Sequence, residues 1–319
     1  MTDLLVRHVQ AWSRQEGSAV TRLTGNAQDA STALWASFGG WYSAAETKAI
    51  AQRTLQIAEP ARANAGALGL AYMREVIGSL RATGVPRVTL QLPAARLGAD
   101  MVQVYSRPAK AYRDSFATTG STEHAFAAAM SRLIRLLEDD VMVARRDGEH
   151  QMMRQAAVER YRRIIHPELA KNGSCGLCIV ASDRIYKISN LMPIHGRCNC
   201  STAPITSSFD PGDANKVDLG ALYEAAGSTG AKDLVNVRVK VNHHGELGPV
   251  LTKAGEHFTG PDLVQAGNPA DRARHQLQLL LPVLAKLEQR KADGEDVTAP
   301  LDYQRRLIAR LRATAAAAA

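Results

Sequence analysis

All four cysteines of the chain fall in one stretch, "CGLCIVASDRIYKISNLMPIHGRCNC", from Cys175 to Cys200, and His195 falls with them. The spacing is C-x2-C, nineteen residues, then C-x-C, with the histidine three positions before Cys198. A C-x2-C turn puts two sulfurs within tetrahedral reach of one cation, and a second pair returned by "DRIYKI" completes a shell. In C-x-C the two side chains share a face only where the chain stays extended, and such close neighbours crowd a single cation. Four of the five residues Cys175, Cys178, His195, Cys198 and Cys200 are therefore predicted to hold a structural Zn2+, with the spare one left open. Small buried thiols or disulfides without metal are the alternative.

A catalytic zinc is the next chemistry to weigh. "HPE" at His166 to Glu168, followed by "CGLC", has the H-x-E and C-x-x-C elements of zinc deaminases. Only six residues separate Glu168 from Cys175, too few for the helix and strands that lie between those elements, and Ser174 stands where that signature has proline. A nearly complete sulfur shell also leaves no position for a reactive water. The chain has no G-x-S-x-G, Walker A, H-E-x-x-H or G-x-G-x-x-G, so the expectation is a protein that is not an enzyme and takes no small-molecule substrate. His243, His244 and His257 lie in a Gly-rich region and read as exposed loop histidines, with metal or partner contact as the sharper alternative.

The elements that lead to the cluster are helical. Leu5, Val9 and Trp12 recur at helical spacing, and Leu70, Met73, Val76, Ile77 and Leu80 share one face before a Gly84-Val85-Pro86 stop. A short extended piece, "RVTLQL", follows, and Ser106-Arg107-Pro108 opens a helix through Tyr112 and Phe116. Ser121 is a predicted N-cap for the stripe of Phe126, Met130, Leu133, Ile134, Leu137 and Val141. After a break at Asp147-Gly148 the pattern resumes with Met153, Ala157, Tyr161, Ile164 and Ile165, which predicts a long helical hairpin or bent helix. Arg145, Arg146, Arg154, Arg160, Arg162 and Arg163 on this stretch form either a solvated basic face or a nucleic-acid contact.

Past Pro204 a turn-rich "SSFDPGDANK" precedes a half-buried strand with Val235, Val237, Val239 and Val241, then a Gly/Pro loop. Helices over about 270–291, kinked at Pro282, and about 301–313 close the chain. The predicted fold class is mainly α, with a small α+β zinc-knot-like module, a short β/loop region and an elongated helical N-terminal part. Three segments are expected: residues 1–120, helical; 121–206, the long helix with the cysteine cluster; and 207–319, short strands, loop and two helices.

The chain has 319 residues, with 45% hydrophobic, 22% charged and 5% aromatic, which excludes a disordered protein. Abundant alanine with few aromatics favours helices packed through small residues over a β-sandwich. The net charge of +8 and pI near 9.5 suit either a polyanionic partner or a basic solvated surface. No apolar run reaches membrane-spanning length, and "MTDLLVRHVQAW" is too short and polar for a signal peptide, so a cytoplasm with reduced thiols is expected.

The residues "YRRIIHPELAKNGSCGLCIVASDRIYKISNLMPIHGRCNCSTAPI" resemble the MuF-like head-morphogenesis (minor capsid) domain of tailed bacteriophages, in the form found in phages of actinobacteria. That pattern is a helix, a C-x2-C, a variable loop, a proline and histidine before a C-x-C, and a closing proline. Here these are Cys175, Cys178, Pro193, His195, Cys198, Cys200 and Pro204. Asn199 stands where many family members carry Arg. The resemblance covers about residues 105 to 206, aided by "YSRPAKAYRDSF", and returns in "HHGELGPVLTKAGEHFTGPDLV". It implies a virion protein of low copy number in the capsid interior, assembled in the host cytoplasm. Portal protein and major capsid or scaffold protein would be its partners, with packaged DNA as a further one. It would act in head assembly, DNA packaging or ejection. The rival readings are a zinc-dependent nucleic-acid-binding protein and, further off, a zinc hydrolase or deaminase.

Overall fold

Two helices, α1 (Thr2–Ala36) and α2 (Ala44–Leu80), open the chain. A short α3 (Met101–Tyr105), α4 (Arg107–Thr119) and the long α5 (Thr122–Gln155) follow. The computed structural model describes residues 2–81, 84–169, 178, 181–182, 184–189, 199–212, 214–215, 239–244, 246–253 and 269–316. The fold is mainly helical, as expected. It divides into two compact units, each assembled from three separated stretches. One comprises Met1–Asp29, Ile57–Gly98 and Leu137–Asp262; the other comprises Ala30–Gln56, Ala99–Leu136 and Leu263–Ala319.

In the first unit the middle of α5 is enclosed by protein. Residues 139–150 are all buried, charged ones included. Asp147-Gly148, expected to break the helix, lies inside it. A Cβ on Gly148 would collide with the Gly66 carbonyl of α2, and one on Gly69 with the Arg145 carbonyl. The glycines therefore serve close helix approach, and that packing outweighs the roughly 1 kcal/mol that glycine costs a helix interior.

Helix α5 ends seven residues later in a Schellman motif. Val158 N–H donates to Met153 O and Ala157 N–H to Arg154 O, both at 3.0 Å, with Ala157 at φ 50°. Tyr161 and Ile164, expected to continue a helix, instead lie on strand β1 (Arg160–Ile164). A run of aromatic and β-branched residues favours a strand once the cap has stopped the helix. β1 is the centre of a three-stranded antiparallel sheet of order β2-β1-β3, flanked by β2 (Tyr186–Lys187) and β3 (Ser201–Ile205). Its register with β3 runs from Arg160↔Ile205 to Ile164↔Ser201.

Val6 and Val9 of α1, Met73, Val76 and Ile77 of α2, and Met152 and Met153 of α5 pack with Tyr161, Ile164 and Ala203 of the sheet as one core. "RVTLQL", expected to be extended, forms neither helix nor strand, and its backbone pairs with a side chain. Gln91 N–H donates to Gln151 Oε1 at 2.9 Å, and Gln151 Nε2 donates back to Gln91 O. A hairpin of β4 (Val239–His244) and β5 (Gly248–Lys253) follows. His243 and His244 therefore lie on a strand and not in a loop; Val235, Val237 and His257 lie outside the described residues.

The second unit is built on aromatic packing. Trp35 is fully buried, and its indole N–H donates to Thr54 Oγ1 at 2.9 Å. Trp41 stacks on Tyr112 with ring centroids 4.1 Å apart. Ser121 caps α5 as predicted, its Oγ accepting from His124 N–H at 3.2 Å. Helices α6 (Pro269–Ala292), which contains Pro282, and α7 (Thr298–Ala316) pack together, with Leu287 and Leu301 in a small core beside Ala117 of α4.

Candidate functional site around Ser201 and Cys200

The β1–β3 register brings Ser201 and Thr202 against residues distant in sequence. His166, just past β1, lies with Nε2 2.6 Å from Ser201 Oγ and Nδ1 3.3 Å from Glu168 Oε1. Glu168 sits on a single 3-10 turn, Pro167–Leu169, and faces Arg14 of α1 at 3.6 Å. Its carboxyl is held below the ordinary range, chiefly by the hydrogen bond to His166.

Beside this chain lies a fully buried ion cluster. Arg145 Nε donates to Glu16 Oε1 at 2.5 Å, and its Nη2 pairs with Glu16 Oε2. Glu149 Oε1 lies 3.3 Å from Arg145 Nε, and Glu149 Oε2 accepts from the Thr202 hydroxyl. Tyr72 of α2 closes the group, its hydroxyl donating to Thr202 O at 2.7 Å. Two carboxyls share one guanidinium out of water, so both are pushed up. Glu149 rises to about 8, raised by burial, pulled back by Arg145 and raised further by Glu16. Glu16 holds the two-point contact with Arg145, while Glu149 meets the same guanidinium through one oxygen.

Ser201, His166 and Glu168 have the connectivity of a nucleophile, its base and an orienting acid. Ser201, however, is completely buried, and His166 nearly so. No substrate carbonyl reaches that hydroxyl as it stands. The chain acts as a hydrogen-bonded strut between the strand ends, continuous through Glu168 to the surface.

Of the predicted metal ligands, Cys178 and Cys200 are buried. Cys175, His195 and Cys198 lie outside the described residues. Among the described residues no three His, Cys, Asp or Glu side chains converge on a metal position, and no zinc-knot module is seen. Arg163 stands over the Tyr186 ring at 5.3 Å. The Tyr186 phenol is pushed up, by burial first, with Arg163 opposing and Cys200 adding. A cation and a thiol thus share one aromatic neighbour.

The predicted basic face is corrected. Arg145, Arg146 and Arg163 are buried. Arg145 serves the ion cluster and Arg146 donates to Leu247 O at 2.6 Å. Arg162 is mostly covered and pairs with Asp210 at 2.6 Å. Only Arg154 and Arg160 of the six are exposed. The physical reason is the enclosure of α5 and β1, which an arginine count along the sequence does not reveal.

Glu16, Tyr72, Glu149, Ser201 and Thr202 were missed by motif reasoning. One signal was present: Val6, Val9, Ser13, Glu16 and Val20 follow the apolar stripe of α1, and a glutamate on such a stripe needs a buried cation. No family model, no curated protein and no solved structure matches this chain.

Proposed function

We propose that this chain is a minor capsid protein of the MuF type. In this reading it sits in the capsid interior beside the portal and takes part in head assembly, DNA packaging or ejection, with major capsid or scaffold protein as further partners and no catalytic step. The observation that carries the reading is the five-residue β1–β3 ladder. It joins "RYRRI" and "STAPI", the two ends of the stretch on which the resemblance rests, into one sheet with Cys200 buried at its edge. A local fold closed by its own ends suits a module with a fixed role.

Within that module, four of Cys175, Cys178, His195, Cys198 and Cys200 would hold a structural Zn2+. The two described donors fit, being buried sulfurs that a soft divalent cation prefers. Bound zinc would cross-link the segment between β1 and β3. Metal analysis of protein purified without chelators should give close to one equivalent, and less than about half an equivalent would remove the site.

Mass spectrometry of purified virions should detect the chain at low copy number. Deleting its gene should leave host lysis intact while giving defective heads. A normal yield of infectious particles, or absence of the chain from virions, would overturn the reading.

A further inference from the structure

Between Leu277 and Leu287 helix α6 reads "LQLLLPVLAKL", in which only Gln278 and Lys286 are polar. A helix apolar nearly all round is built for enclosure on more than one side. Helix α7 supplies one of those sides. Ala273, Leu277, Leu280, Leu284 and Leu287 recur at the 4-3-4-3 spacing of a coiled-coil seam. Ala273, Leu280 and Leu287 are buried, and Leu277 and Leu284 half-buried. Along this row Gln304 of α7 donates through Nε2 to Leu280 O at 3.3 Å, and Leu301 packs with Leu287.

One residue further on, Arg274, Gln278, Leu281, Ala285 and Glu288 repeat the same spacing, and all five are exposed. Leu281 keeps 41% of its surface in solvent, with Leu277 and Leu284 half-buried along its border. This second row lies about 100° round the helix from the first, so α7 does not cover it. Another leucine, Leu279, is 60% exposed on a different side. Two turns beyond it the Lys286 ammonium donates to Thr118 O in the last turn of α4, so that side already has a neighbour.

The charges on the second row select what covers it. Its ends are Arg274 and Glu288, opposite in sign, and Leu281 lies midway between them. A row of that symmetry is complementary to itself run backwards. In an antiparallel pair about a two-fold axis, the two Leu281 side chains meet at the axis and each Gln278 faces the other copy's Ala285. Each Arg274 then faces the other copy's Glu288. A parallel pair would set like charge against like at both ends. Glu288 accepts from Arg305 of its own chain at 2.9 Å, yet stays half in solvent, which leaves lone pairs for a second guanidinium. Arg274 Nη1 lies 3.4 Å from Ala315 O, and this residue too remains exposed.

We propose that the exposed row of α6 is a self-association surface, on which a second copy of this chain docks antiparallel through its own α6. The contact runs over about four helical turns, so the pair belongs to the small, transient class of interface, with dissociation in the micromolar range. The inference goes beyond the head-protein reading and stands without it.

The test is sedimentation velocity on the full chain under reducing conditions, from about 1 to 200 μM. The parent should pass reversibly from monomer to dimer. Leu281→Gln should stay monomeric throughout while its far-UV melt matches the parent, because that side chain is already partly in water. Leu279→Gln should dimerise like the parent. Arg274→Glu and Glu288→Arg should each dimerise roughly tenfold more weakly, since each sets like charges together. An equimolar mixture of those two should recover the parent's dimer, because every contact between positions 274 and 288 then joins opposite charges. A misfolded variant does not give that recovery. A parent that stays monomeric, a dimer that survives Leu281→Gln or is lost equally in Leu279→Gln, or a mixture no tighter than its components would each overturn the proposal. Dimers of a chain absent from virions would remove only the head-protein reading, and a monomeric chain found in virions would remove only this one.

Discussion

Ala157 holds the end of α5 in a backbone conformation that a Cβ disfavours. At φ 50° it occupies the C′ position of the Schellman motif, where glycine is the usual residue. Ala157→Gly should therefore raise stability by about 0.5–1 kcal/mol, since relief of the left-handed strain outweighs the added freedom of the unfolded chain. Urea denaturation should show a higher midpoint at unchanged slope, and a lower midpoint would mean that Ala157 is not left-handed. Arg145 stands at the other extreme of consequence. Arg145→Ala would leave Glu16 and Glu149 buried without a cation, at a cost of about 3–5 kcal/mol. A loss under about 1 kcal/mol in the same measurement would mean that water reaches the cluster. Neither residue announced itself in the sequence. Arg145 and Glu16 are 129 positions apart and His166 and Ser201 are 35 apart, so both pairings exist only through tertiary register. The cysteines, by contrast, form a local spacing pattern that is visible without any tertiary register.

Periodicity reports which face of an element is apolar, but not what ends the element or how near its neighbour comes. The stripes on α1, α2 and α5 were legible for that reason, and Leu133, Leu137 and Val141 are fully buried as expected. The supposed break at Gly148 and the helix expected through Tyr161 failed because each depends on a partner the pattern does not contain. Gly148 meets Gly66, and Tyr161 pairs across the sheet with Pro204 and Tyr186. Two glycines in helices give a test with opposite signs. Gly25 in α1 has nothing near the position of an added Cβ, so Gly25→Ala should stabilise by up to about 1 kcal/mol through helix propensity. Gly148→Ala gains the same propensity yet drives a methyl into the Gly66 backbone, which cannot swing aside as a side chain could. A net loss of about 1–3 kcal/mol is expected. Thermal melts of the two variants should move in opposite directions, and a stabilised Gly148→Ala would refute the close α2–α5 approach.

Charge buried across the molecule also sets how it answers pH. Three groups buried along α5 depart far enough from their ordinary values to matter. Glu149 is raised from 4.5 to about 8 and Asp147 from 3.8 to about 6, each by burial first, while burial lowers His150 from 6.5 to about 3. A carboxyl raised on folding stabilises the native state below its unfolded value, and that stability is lost as pH rises through the folded one. Glu149 therefore favours folding less and less between pH 4.5 and 8, and Asp147 between 3.8 and 6. A histidine lowered on folding acts in reverse, so His150 costs stability as pH falls from 6.5 towards 3. By about pH 7.5 the last two have nearly finished titrating, while Glu149, coupled to Glu16 through Arg145, still exchanges a proton on unfolding. Unfolding free energy should consequently fall between pH 6.5 and 8 at roughly half to three-quarters of the one-proton slope, about 1 kcal/mol per pH unit. Glu149→Gln copies the protonated shape, keeps an acceptor for Thr202 and leaves Arg145 to Glu16, so the same window should be flat in that variant. Equal slopes for parent and variant would mean that the proton resides elsewhere in the cluster. A flat parent would mean that Arg145 holds both carboxylates ionised.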